Sequence, residues 1–278
     1  MPELPEAETV RRGLQAEVSG RRVVSAAATG IRSVRRHADP GEVGRRLAGH
    51  RVVGTRRRGK YIVAVLDSDQ ALVIHLGMSG QLVLLAPEDE PPRHTHVTLE
   101  LDDRRRLLFV DPRTFGELFV TAPPAPGAEL AELAHLGFDP LEDRVGPAEF
   151  ARRLSGRRVG LKALLMDQRF VAGIGNIYSD EILFAAGLRH DRTSDGLTEP
   201  EARSLHRAMV TTLRRAVEHR GSSLADAQYR DIYGVPGAFQ LRHRVYGRAG
   251  LPCRRCGGPV QRLRWSGRST FFCPNCQR

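Results

Sequence analysis

Residues 61–85 read Tyr-Ile-Val-Ala-Val-Leu (61–66), Asp-Ser-Asp-Gln (67–70), Ala-Leu-Val-Ile-His-Leu (71–76), Gly-Met-Ser-Gly (77–80) and Gln-Leu-Val-Leu-Leu (81–85). Apolar runs this short, rich in Val, Ile and Leu and broken by turn formers, are strands and not helices. The pattern continues through His96–Leu101 and Leu107–Val110, separated by Asp102-Asp103, and fills the chain from Val23 to about Thr121. Regular spacing of this kind predicts an antiparallel sandwich or barrel. Upstream, Pro5 at a first helical position, Glu6 and Glu8 in the first turn, and Ala7, Val10, Leu14 and Val18 on one stripe predict an amphipathic helix.

Beyond a Pro-rich stretch, Ala122-Pro123-Pro124-Ala125-Pro126-Gly127, which reads as a stiff linker, the period becomes helical. Helices are expected near 129–136, 147–154, 161–168, 176–187 and 198–219. Pro147 marks a start, Asn176 a cap, Gly187 a stop, and Thr198 with Glu201 a capping box. The run Ala172-Gly173-Ile174-Gly175 feeds the helix that begins at Asn176, a place where backbone N–H groups can receive a phosphate. All four cysteines fall at the end, as Cys253-x2-Cys256 and Cys273-x2-Cys276, the spacing of a zinc ribbon. Two disulfides are the alternative, and the lack of an export signal speaks against them. Four thiolates leave no open position on the metal, so one structural Zn2+ is expected. The fold class is therefore α+β and multidomain.

Forty-three Lys and Arg against 32 Asp and Glu give a net charge of +11, the footprint of a protein that meets a polyanion. The apolar runs are strand-length and the N-terminus is acidic, so a membrane partner is not expected and a cytoplasmic location is. The chain opens Met1-Pro2-Glu3-Leu4-Pro5-Glu6. Trimming of Met1 leaves Pro2 with a secondary amine, unprotonated to a useful extent near neutrality. Attack of such an amine on an anomeric carbon gives an iminium, an electron sink that needs no proton. Glu3 and Glu6 stand close in sequence to handle protons. A noncatalytic zinc-ribbon DNA-binding protein, with Pro2 only a helix start, is the rival from another class.

The motifs PELPEAET (2–9), RRGKY (57–61), HLGMSGQL (75–82), DPRTFGEL (111–118), GIGNIYSDEILFAAG (173–187), VYGRAGLPCRRCG (245–257) and GRSTFFCPNCQ (267–277) together resemble the formamidopyrimidine-DNA glycosylase family. The resemblance implies an N-terminal β-sandwich catalytic domain with an N-terminal helix over 1–121, a linker over 122–128, a helix-two-turns-helix DNA-binding domain over 129–240 and a zinc-ribbon hairpin over 241–278. It implies a monomeric base-excision repair enzyme acting on damaged double-stranded DNA, a glycosylase with lyase activity.

In that family the N-terminal proline attacks the sugar, which assigns Pro2 the nucleophile and Glu3 the proton donor that opens the ring. Lys60 matches the residue of the first elimination and Arg268 that of the second, or a phosphate ligand. Met78, Arg113 and Phe115 match residues inserted where the flipped nucleotide leaves the stack. His75, His94, Lys162 and Asn176 match other DNA-contacting positions. Leu4, Arg113 and Phe115 favour the oxidised-purine branch over the endonuclease VIII type, which acts on oxidised pyrimidines. Thr114 departs from a common arginine, and Tyr229–Phe239, matched to the lesion-capping loop, carries two tyrosines and Ala238 that are unusual there.

Overall fold

The structure is a computed structural model that describes residues 2–122, 130–224 and 229–278; the expected linker lies outside the described residues except for Ala122. The described chain forms two compact units, 1–135 with 219–238, and 136–218 with 239–278.

The first unit starts with helix α1 (Leu4–Glu17). Strand β1 (Val23–Ala28) and helix α2 (Gly41–Leu47) follow, then β2 (Val52–Arg58), β3 (Tyr61–Leu66), β4 (Ala71–His75), β5 (Gln81–Leu85), β6 (Thr95–Leu101), β7 (Arg106–Val110) and β8 (Glu117–Thr121). Two four-stranded sheets form, in the orders β1-β6-β7-β5 and β2-β3-β4-β8, with every pairing antiparallel. Side chains of both sheets meet in one core. Val97, Leu99 and Phe109 come from one sheet, Ile62, Leu72 and Ile74 from the other, and Ala7, Val10 and Leu14 from α1. The expected sandwich and helix stripe are thus present. Burying each of these larger aliphatic side chains stabilises by about 1.5–3 kcal/mol.

The second unit holds α3 (Pro147–Ser155), α4 (Leu161–Met166), α5 (Asn176–Ala186) and α6 (Glu199–Glu218), and a hairpin of β9 (Gln261–Trp265) and β10 (Arg268–Phe272). Gly187, at φ +76°, ends α5 as its composition predicts. Thr198 and Glu201 cap α6 reciprocally: Glu201 Oε2 accepts the Thr198 N–H at 2.8 Å. Near 129–136 the described residues form only a 3-10 turn, Ala131–Leu133. The chain next runs extended, and Phe138 makes a parallel bridge to Val171. The N-cap of α5 is Gly175, and Asn176 is its first helical residue.

Residues 219–238, expected within the helical segment, pack with the first unit. The buried Glu6 carboxylate accepts the Glu3 N–H at 2.8 Å with one oxygen and the Ser222 N–H at 2.7 Å with the other. Ile232 is buried against Gly13 of α1, where a Cβ would lie 2.8 Å from its side chain. Both tyrosines noted in the sequence hold this segment to α1. Tyr229 donates to the Glu6 carbonyl at 3.4 Å, and Tyr233 donates to the Glu17 carboxylate at 3.0 Å. Gly221 sits at φ +76°, and a Cβ there would lie 2.5 Å from Glu6 Oε1. Gly221→Ala is therefore strained in backbone and packing at once. We expect it to lower the free energy of urea unfolding by about 2–3 kcal/mol, whereas Gly20→Ala, at φ +86° with open space around it, should cost less.

Candidate active site and nucleic-acid interface

Pro2 is buried at the threshold of α1, and Glu3, 2 % exposed, is the N-cap. Glu3 and Glu6 form a capping box across the first turn. One turn on, Glu8 binds Arg11, Arg12 and Arg57. Burial works to raise its pKa, but hydrogen bonds from Arg11 and Arg12 outweigh this and hold it below the usual carboxylate range.

Arg57 links that helix to the β2–β3 turn. Its side chain is fully buried, with Nε 3.2 Å from Glu8 Oε2 and a donated bond of 3.0 Å to the Gly59 carbonyl. Lys60 follows directly, so a chain of contacts runs from α1 to the Lys60 backbone. Tyr61 and His75 are register partners on β3 and β4, with ring centroids 4.7 Å apart. His75 Nδ1 accepts the Gly77 N–H at 3.3 Å. Burial first, and the Lys60 charge second, lower the His75 pKa to about 4, so the ring is neutral at pH 7. Lys60 and His75 are thereby brought together at one end of the two inner strands of the second sheet.

The three insertion candidates are gathered by Asp111, a residue the sequence reading passed over. Its fully buried carboxylate accepts from Ser79 Oγ at 2.5 Å, from Arg113 N at 3.2 Å and from Gly116 N at 2.8 Å. It thus fastens the Met78 turn to the 113–116 loop. Gly77, at φ +63°, lies so close that a Cβ would meet Gly116 N at 2.4 Å. Met78 and Phe115 remain 38 % and 52 % exposed despite being apolar, and the Arg113 guanidinium sits 5.3 Å from the Phe115 ring centroid. His94, exposed at φ 65°, accepts the Asp111 N–H with its carbonyl at 3.0 Å and so borders the same loops.

In the second unit, Gln168 shapes the glycine-rich turn. It donates to the Ile174 carbonyl at 2.8 Å and accepts the Gly173 N–H at 2.9 Å. No acid occupies the first turn of α5, which leaves the end marked by Asn176 suited to an anion. Lys162, matched to a DNA contact, is buried on α4. It is 2 % exposed, and its ammonium donates to Asp180 at 2.7 Å and to the Ser269 carbonyl at 3.1 Å. The second Asp180 oxygen accepts the Phe271 N–H at 2.9 Å. This buried pair joins α4, α5 and the hairpin. Arg268 follows the Ser266-Gly267 turn, whose two positive φ values, 47° and 78°, make a tight hairpin bend. Its guanidinium is exposed, near Met166 Sδ at 4.0 Å.

The Sγ atoms of Cys253, Cys256, Cys273 and Cys276 lie within 4.8 Å of one another, with cross-pair separations of 3.9 and 3.5 Å. A tetrahedral zinc with Zn–S near 2.3 Å requires edges of about 3.8 Å, so the four residues fit one structural zinc ion. Arg255 N donates to Cys253 Sγ at 3.4 Å, as in a metal-binding knuckle. Gln277 ties the site to the end of α5 by accepting the Cys273 N–H and donating to the Leu188 carbonyl, both at 2.9 Å.

Comparison with known proteins gives three family matches along the chain. They are the formamidopyrimidine-DNA glycosylase N-terminal domain over residues 1–118, the H2TH domain of the same enzymes over 136–228, and the zinc finger found in FPG and IleRS over 250–278. A formamidopyrimidine-DNA glycosylase of Cereibacter sphaeroides is 46% identical over 288 residues, covering 100% of both chains. The crystal structure of the MutM (Fpg) protein of Thermus thermophilus superposes with a TM-score of 0.87 at 43% identity, covering 99% of this chain and 98% of that one. A Lactococcus lactis Fpg complexed with DNA containing an abasic site gives 0.90 at 31% identity, covering 99% of each.

Two outcomes follow from the geometry. Chelation of the zinc, or Cys273→Ser, should unfold the ribbon while the sandwich keeps its cooperative unfolding, because so small a module has too little core to fold without metal. Elemental analysis should give one zinc per chain, and hydrogen exchange should lose protection in 250–278 alone. For His75 the folded pKa of about 4 lies below the unfolded value near 6.5. Its contribution is therefore present above pH 6.5 and lost as pH falls toward 4, by up to about 3 kcal/mol. In urea melts across that window, His75→Gln should flatten the decline in stability.

Proposed function

The chain belongs to the formamidopyrimidine-DNA glycosylase family, DNA glycosylases of base-excision repair, and from that premise we infer that it excises oxidised purines, 8-oxoguanine and formamidopyrimidines, from damaged duplex DNA and then cleaves the strand. The observation that carries this reading is the locked start of α1. Pro2 and Glu3 are buried together there, and Glu6 holds the Glu3 backbone against Ser222.

With Met1 removed, the Pro2 nitrogen attacks C1′ as the glycosidic bond breaks. Glu3 gives a proton to the sugar ring oxygen, the ring opens, and an iminium joins Pro2 to C1′. The cationic iminium acidifies the C2′ hydrogens, and loss of one expels the 3′ phosphate; a second elimination expels the 5′ phosphate. Lys60 serves the first elimination, held by the Arg57–Gly59 link. Arg268 serves the second, or binds the phosphate bidentately. Zinc takes no part in these steps; it supports the hairpin that carries Arg268. Met78, Arg113 and Phe115 fill the space left by the flipped nucleotide, with Arg113 directed to the unpaired base, and His94 and Asn176 bind the strand. The protein acts as a single chain.

Borohydride should trap a covalent protein–DNA adduct at Pro2, since an iminium is reducible and a noncovalent complex is not. Pro2→Gly should lose about a hundredfold or more in excision rate. Adduct mapped to a lysine, or intact mass showing Met1 retained in active protein, would refute the N-terminal mechanism. A second expectation concerns the inserted residues. Arg113→Ala should erode discrimination among opposite bases, while Phe115→Ala should slow excision from intact duplex, and both should recover activity on a preformed abasic site, where no base remains to be unstacked. Equal losses on both substrates would assign these residues to folding or general binding instead.

A further inference from the structure

A concave groove of about 880 Å³ lies in the second unit between α6 and the segment that leads into the first cysteine knuckle. Six arginines line it: Arg207 and Arg215 from α6, with Arg242, Arg244, Arg254 and Arg255 opposite. All six are exposed, and among the described residues none forms an ion pair. Arg254 and Arg255 donate only to the carbonyls of Leu241 and Phe184. The single acid in the lining, Glu181, is buried and spends both oxygens on the N–H groups of residues 244–246.

This is not simply an arginine-rich surface. Nearby arginines of the same unit are neutralised: Arg203 by Glu199, Arg192 by Glu201, and Arg153 by Glu149. Six like charges around one concavity repel one another, and the low-dielectric walls focus their potential into the groove. Such an arrangement is stabilised by an anionic occupant.

The groove is remote from the elements assigned to DNA. It opens at the Phe184–Ala185 end of α5, while Asn176 stands at the other end, about 15 Å away for a helix of this length. It borders the cysteine knuckle, whereas Arg268 lies at the hairpin bend. Its shape also bears on the occupant. The α6 wall runs from Ser204 to Arg215, about 16 Å, with Ala208, Thr211 and Thr212 as a small-residue floor. That length fits about five residues of extended peptide. The lining aromatics Phe184 and Phe239 are buried and offer no face on which bases could stack, as a single strand of nucleic acid would need.

We propose that this groove docks an extended acidic segment of a partner protein, its carboxylates taken by the six arginines, independently of the glycosylase reaction. The test uses the full-length zinc-loaded protein and fluorescein-labelled hexa-aspartate, with hexa-asparagine as control, followed by fluorescence anisotropy. Hexa-aspartate should bind and hexa-asparagine should not. The double variant Arg207→Ser/Arg244→Ser should weaken binding about tenfold or more, whereas Arg203→Ser should not. Binding should persist when the protein is saturated with an abasic-site duplex. Loss of peptide on adding the duplex, equal affinity in the double variant, or tighter binding of a single-stranded oligonucleotide with the same arginine dependence would each overturn the proposal. Displacement by inorganic phosphate at the peptide's own concentration would do so as well. Unchanged circular dichroism and duplex affinity of the double variant exclude misfolding as the cause.

Discussion

The carboxylate of Glu6 is the interaction on which the rest of the active-site architecture depends. It is 1 % exposed, yet it carries a charge-sized cost of burial only in part, because both oxygens are engaged by backbone N–H groups. Through one oxygen it fixes the residue that follows Pro2, and through the other a segment 216 residues distant in sequence. An N-terminus is ordinarily the most frayed part of a chain. Here residues 2–8 are buried and Glu6 ties the Glu3 N–H to Ser222.

The same device recurs. Asp111 holds two loops, Asp180 joins a buried lysine to β10, and Glu181 gathers three successive N–H groups of residues 244–246. In a chain with a net charge of +11, these acids are drawn inward to organise backbone, and most arginines, Arg57 excepted, are left to the surface. Burial drives the pKa of Glu181 upward and that of Asp180 up to about 7, against the opposing pull of N–H donors and Lys162. Positive surface potential and internal order are therefore two results of one distribution of charge.

Much of this was legible in the sequence where the signal is local. Short apolar runs gave the strands, a stripe of Ala7, Val10 and Leu14 gave α1, and cysteine spacing gave the metal site. What was not legible depends on partners far along the chain. Lys162 looks like any exposed lysine until Asp180 and Ser269 meet it. Asp111 sits in a motif, but its three acceptor bonds exist only once the loops converge. A 3-10 turn, Ala131–Leu133, stands where a helix is expected at 129–136, and β2, with three consecutive arginines, becomes a strand because β3 pairs with it.

The return of residues 219–238 to the first unit has a consequence for synthesis. Domains fold largely in order as the chain leaves the ribosome. The sandwich can close once β8 has emerged, but Ser222, Tyr229 and Ile232, which bolt α1 in place, are made much later. A nascent chain thus carries α1 from the start without the contacts that hold its first turn. The first turn of α1 is therefore completed only when most of the protein has been translated.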